Sequence, residues 1–177
     1  VSRAWLLTGA GLALLSAAVD QVVKHIVVDT MALHEQIDLL PFLALFHTRN
    51  TGVAFSFLSG FDDRAMVVFT GLVMAFILWL ATRTGDQQKV ARLGFALILG
   101  GALGNIIDRA TLGYVVDYFL FHTPVWSFAV FNLADVFITV GAGLVILQEL
   151  IDWRRDAQPA AATPDDRLED RPENRKE

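Results

Sequence analysis

Two aspartates, Asp117 in GYVVDYF and Asp135 in FNLAD, lie where a carboxylate is poorly solvated. Asp117 sits between the apolar runs YVV and YFLF, and Asp135 stands near the start of the run FNLADVFITVGAGLVIL. An ionised carboxylate near hydrocarbon costs roughly 2.5–3.5 kcal/mol even on lenient insertion scales, so each marks a functional candidate. The chain has no cysteine, which removes disulfides, thiolate nucleophiles and Cys-ligated metals. Its four histidines show no HExxH-like spacing, and Ser56 has neither a nucleophile elbow nor a paired lysine. The reactive pair that remains is the two carboxylates. Two close aspartates in a low-dielectric site cannot both ionise easily, so they share one proton. The ionised one activates a water as general base; the protonated one polarises a carbonyl and then protonates the leaving amine. That is aspartic peptidase chemistry, which needs no metal and no cofactor.

The elements that must position this pair are membrane helices. Of the 177 residues, 54% are hydrophobic, above the norm for soluble domains. Four stretches, 5–19, 65–82, 93–107 and about 133–151, approach the ~20 apolar residues that a bilayer span needs. The first lacks a small-x-small cleavage site before DQVVKH and reads as a retained helix. Arg3, Arg83, Lys89, Arg92, Arg154 and Arg155 flank one side of the spans, and Lys24, Arg49, Arg64 and Arg109 the other. This bias predicts both termini and the TGDQQK connection in the cytoplasm, with residues 24–63 and 110–131 outside. The segment 24–63 is too long for a turn and predicts short strands or an interfacial segment. The expected fold is therefore an all-α membrane protein of four transmembrane helices with an outer-loop region. Residues 1–155 form the membrane domain, and the charged tail 156–177 is expected to be disordered. That tail carries four basic and seven acidic side chains, so most of the formal charge of −5 belongs to it. No basic stripe points to nucleic acid.

With this topology the first span ends at Asp20, the third at Asn105, Asp108 and Arg109, and the fourth begins at Asn132 and Asp135. All of these meet the outer surface, where Asn50 and Asp117 join them. Structural explanations exist for several. Asn132 is a good helix N-cap, and Asp135 would suit the positive end of the helix dipole. Asp108 beside Arg109 reads as an ion pair, and Asp20 with Lys24 as an i, i+4 helix pair. The glycines of GGALG suit close helix packing better than a phosphate loop.

Five motifs occur in order: DQVVK at 20–24, RNTGVAFSFL at 49–58, GGALGNIIDR at 100–109, GYVVDYF at 113–119 and FNLAD at 131–135. Together they resemble lipoprotein signal peptidase (signal peptidase II), the family of membrane aspartic peptidases of bacterial lipoprotein maturation, over roughly residues 5–152. The resemblance implies that Asp117 and Asp135 are the catalytic pair. It implies polar support from Asp20, Lys24, Asn50, Asn105, Asp108, Arg109 and Asn132. Gly52, Ala54 and Phe55 match the NxGxAF element, while Val53 and Tyr118 depart from the family's frequent Ala and usual Phe. The implied substrate is a prolipoprotein already carrying a diacylglyceryl group, cleaved just before the lipidated cysteine. The implied setting is the bacterial inner membrane, with the site near the periplasmic surface, a monomer among membrane lipids, inhibited by the cyclic peptide globomycin.

Two other classes compete on the residues alone. A small transporter or channel would use the outer carboxylates as a cation entry site, but no acidic relay continues across the spans. A purely structural bundle would explain each polar residue as a cap or ion pair.

Overall fold

A computed structural model describes residues 3–52 and 63–157. Val53, Ala54, Phe55, Ser56 and the tail from residue 158 lie outside the described residues, so the expectations for them stand untested. The chain runs α1 (Arg3–Thr30), β1 (Gln36–Leu40), β2 (Leu43–Asn50), α2 (Asp63–Arg83), α3 (Lys89–Leu112), β3 (Val115–Thr123), β4 (Trp126–Ser127) and α4 (Leu133–Asp156). Among the described residues, three helices are long and apolar enough to cross a membrane: Trp5–Thr30, Lys89–Leu112 and Leu133–Asp156; the apolar part of α2, Val67–Arg83, is shorter.

The helices are turned inside out relative to a soluble bundle. Large apolar side chains such as Leu7, Leu14, Leu72 and Phe76 are exposed, while Asp20, Lys24, Asp117 and Asn132 are buried. Lipid, not protein, is the partner that the outward leucines need. Without a hydrophobic drive between helices, association relies on close backbone approach at small residues. α3 is the central helix and packs on α1, α2 and α4. At its crossing with α4, a Cβ on Gly94 would lie 2.5 Å from the Gly141 carbonyl oxygen, and one on Gly141 would lie 2.5 Å from that of Gly94. Gly100 and Gly101 press in the same way on Ala13 and Ala134, so GGALG serves helix packing as expected.

Two expectations change. The first helix does not end at Asp20. α1 continues to Thr30, and at about 1.5 Å per residue its 28 residues reach ~42 Å, beyond a ~30 Å hydrocarbon core. Its extension has work to do: Val27 and Met31 form a core with Val116 and Tyr118 of β3. The second change is the extent of the sheet. Short strands were expected in 24–63, but 110–131 also contributes, giving a four-stranded antiparallel sheet of order β1-β2-β3-β4. The all-α class therefore understates this region. β2 and β3 pair from Leu43↔Phe121 to Asn50↔Val115, with an irregularity between Leu45 and Thr48. A bridge between Phe119 and Phe131 then brings the chain from the sheet to the start of α4.

Candidate active site

The sheet meets the helices where β3, α1, α3 and α4 converge, and all ten sequence-selected residues gather there. β3 carries Asp117, 1% exposed, and Asn132, 0% exposed, caps the start of α4, with Asp135 in its first turn. α1 supplies Asp20 and Lys24, α3 supplies Asn105, Asp108 and Arg109, and the end of β2 supplies Asn50 followed by Gly52.

Three asparagines organise the carboxylates, and their orientation follows from their partners. Gly52 N–H donates to Asn50 Oδ1 at 2.9 Å, so the amide nitrogen of Asn50 must be the end that donates to Asp117 Oδ2, also at 2.9 Å. Gly52 has φ 86°, a left-handed conformation that glycine adopts without strain. Asn132 Oδ1 accepts from Asp135 N–H at 3.0 Å, which turns its nitrogen towards Asp117 Oδ1, 2.6 Å, and Asn105 Oδ1, 3.1 Å. Asn105 in turn donates to Asp135 Oδ1 at 2.9 Å. Both aspartates are thus joined through amide NH₂ groups. A neutral amide steadies a carboxylate without supplying the full charge that would fix it as an anion.

The cap reading of Asn132 and Asp135 holds, and the same two residues also join the network around Asp117. The backbone N–H of Asn132 donates to Asp135 Oδ2 at 3.1 Å, completing a reciprocal capping box. The next two donors of the helix start find partners elsewhere in the fold. Leu133 N–H donates to the Tyr118 hydroxyl at 3.1 Å, and Ala134 N–H to Asp20 Oδ1 at 2.9 Å. The first turn of α4 is therefore pinned to β3 and α1 together.

Beneath this lies a buried cation. Lys24 Nζ is 2.9 Å from each of Asp20 Oδ2, Asp108 Oδ2 and Asn105 Oδ1. Asp108 also accepts from Gln21 Nε2 at 2.7 Å and from Val116 N–H at 3.0 Å, which ties α3 to β3. The expected Asp108–Arg109 ion pair gives way to this one. Neighbours in sequence on a helix point about 100° apart, whereas Lys24 faces Asp108 across the α1–α3 contact. Gly104 makes room for the arrangement, since a Cβ there would collide with Asp20 Oδ2. Arg109 lies within electrostatic reach of Asp135, Asp117 and Asp108.

Four carboxylates here face two cations, so the site favours keeping a proton. Burial pushes the Asp117 carboxyl up from 3.8 to about 6; Asp135 adds to the rise, while Asn50, Asn132 and Lys24 oppose it. Burial also raises the neighbouring Tyr118 hydroxyl. It therefore stays protonated and neutral as it accepts from Leu133. Beside Asp135 opens an apolar groove of about 660 Å³, lined by Phe121, Trp126, Phe128, Phe131, Val136 and Val140 among others.

The sequence reading missed Gln21, Tyr118 as a hydrogen-bonding residue, and this aromatic groove. Signals existed for each. Gln21 is a polar side chain beside Asp20 on an apolar helix. Phe119 and Phe121, then Trp126 and Phe128, recur at the two-residue spacing that places side chains on one face of a strand.

A family model described as signal peptidase (SPase) II matches residues 12–151. The chain belongs to the signal peptidase II family. A lipoprotein signal peptidase of Mesorhizobium japonicum is 60% identical over 147 residues, 83% of this chain and 86% of that protein. One of Brucella ovis is 54% identical over 143 residues, 81% of this chain and 89% of that protein. A solved bacterial membrane enzyme superposes with a TM-score of 0.75 at 28% identity, over 87% of this chain and 94% of the other. A second does so at 0.67 and 31% identity, over 81% and 92%. Family membership makes the chain a membrane peptidase, and the convergence of described residues from each of the five motifs on one network fits that class.

Proposed function

We propose that this chain is an aspartic endopeptidase that removes the signal peptide from diacylglyceryl-modified prolipoproteins, cleaving just before the lipidated cysteine. The observation that carries the catalytic type is the junction of β3 and α4. Asp117 and Asp135 are bound there to one pair of asparagines, in surroundings that raise the Asp117 carboxyl to about 6. In this reading the two share a proton and activate one water for direct attack on the peptide carbonyl, with no covalent intermediate. Asn50, Asn132 and Arg109 hold the pair or the substrate backbone. Asp20, Lys24 and Asp108 tie α1 to α3 and to the first turn of α4. The aromatic groove beside Asp135 offers an apolar wall to the lipidated segment, and acyl chains around it would exclude water and strengthen electrostatics. The resemblance also implies inhibition by globomycin at this site.

The wider reading is a monomer of four transmembrane helices in the bacterial inner membrane, both termini cytoplasmic and the site at the periplasmic surface. Residues 1–155 make the peptidase domain, and 156–177 a disordered tail. The Lys and Arg bias at the span ends supports this orientation.

Cleavage of a diacylglyceryl-modified prolipoprotein by purified wild type, Asp117→Asn and Asp135→Asn tests the assignment. Both variants should fold and lose at least 10²-fold in turnover, the low end of what a positioned acid or base contributes. Near wild-type cleavage by either would make that residue structural. The wild-type kcat/KM should follow a bell-shaped pH profile whose limbs belong to the pair.

A further inference from the structure

At the opposite end of the bundle a second polar cluster forms around Arg92, near the start of α3. Its guanidinium pairs with Asp86, donates to the Thr84 carbonyl at 3.3 Å and stacks 4.9 Å from the Trp5 ring of α1. Arg92 is 7% exposed, yet its Nε has no hydrogen-bond partner among the described residues. A buried donor left without a partner is unfavourable, so an acceptor brought to it is favoured. Lys89, one turn earlier and exposed, forms no ion pair among the described residues. Among the charged residues that line the cavity here, Lys89 and Arg92 outnumber Asp86, while Asp152 stands outside the lining, held by Gln88 at 2.8 Å.

The cluster heads a crevice. A cavity of about 380 Å³ is lined by the charged groups of Asp86, Lys89 and Arg92 and by apolar residues that include Trp5, Leu12 and Leu93. It shares Trp5, Gly9 and Ala96 with an apolar groove of about 550 Å³ that runs between α1, α2 and α3 past Ala13, Leu78 and Leu99. The groove has almost no polar lining and faces outward from a membrane bundle, so a hydrocarbon chain is the occupant that its chemistry admits. The basic end then selects the headgroup.

We propose that this crevice binds one anionic phospholipid, its acyl chain in the α1–α2–α3 groove and its phosphate at Lys89 and Arg92. The site is separate from the Asp117–Asp135 region and does not depend on the catalytic reading.

The test uses the full chain purified in a neutral detergent. It is titrated with phosphatidylglycerol or phosphatidylcholine and followed by native mass spectrometry and thermal unfolding. One phosphatidylglycerol should be retained and should raise Tm, with phosphatidylcholine bound more weakly. Lys89→Gln should weaken phosphatidylglycerol binding roughly five-fold, the factor that one basic residue contributes near an anionic surface. It should leave the lipid-free Tm and prolipoprotein cleavage unchanged. Gly9→Leu should block binding by filling the groove; a Cβ there meets only the Trp5 ring, at 3.8 Å. Equal retention of the two lipids would overturn the proposal, as would wild-type phosphatidylglycerol affinity in Lys89→Gln. Stabilisation by soluble glycerol phosphate equal to that by the lipid would reassign the cluster to a free anion.

Discussion

Asp117 holds the most consequential balance at the residue scale. Its neighbours donate two amide hydrogen bonds, which favour the anion, while burial and Asp135 favour the proton, and the proton wins up to about pH 6. The unfolded chain releases that proton near 3.8, so the folded state holds more protons between the two values. Folding stability from this group is full below about pH 4 and falls as pH rises towards 6. At 1.36 kcal/mol per pH unit the loss is about 3 kcal/mol. Asp117→Asn cannot titrate. It loses an acceptor and turns an NH₂ group on donors, so it starts at a disadvantage at pH 4. That disadvantage should shrink by about 3 kcal/mol by pH 7, read from unfolding of both proteins in the same micelles across the range. A difference that does not change with pH would mean that Asp117 titrates normally.

At the scale of elements, the start of α4 is the part most tightly specified. Its first three donors go to β3, α1 and its own cap, so the position of Asp135 is set by three elements at once. Tyr118→Phe keeps the ring against Val27 and Met31 but strands the Leu133 N–H. It should cost about 1 kcal/mol of stability and lower kcat more than it raises KM. Unchanged kcat would show that Asp20 and the capping box suffice. These elements were unevenly legible in the sequence. Nine polar residues were easy to select, because Asp, Asn, Lys and Arg stand out in apolar runs, while Gly52 came from the resemblance; all ten came together. Their partners were harder. Asp108 sits next to Arg109 in the chain but bonds Lys24, a contact set by helix crossing and not by spacing. Asp20 and Lys24 looked like the end of the helix because a buried ion pair and a helix terminus carry the same letters; α1 runs ten residues past Asp20. The strand β3 was hidden because its residues VVDYFLFHT lack clean polar alternation, being mostly buried at the start of the strand.

For the whole molecule, the described network closes within residues 20–135, so nothing in it calls on the charged tail. Truncation after Arg155 should leave prolipoprotein turnover unchanged, and a large fall in kcat would give the tail a task. The inside-out distribution of side chains has a wider consequence. The helices hold one another through glycine and alanine backbones and through a buried polar interior, while Leu7, Leu14, Leu72 and Phe76 turn outward to the surrounding solvent. Compatibility with lipid and capacity for chemistry are thus written in separate sets of positions. A designer seeking a water-soluble form could repaint that outer skin with Lys and Glu, and the assembly of Asp20, Lys24 and Asp108 would not register the change.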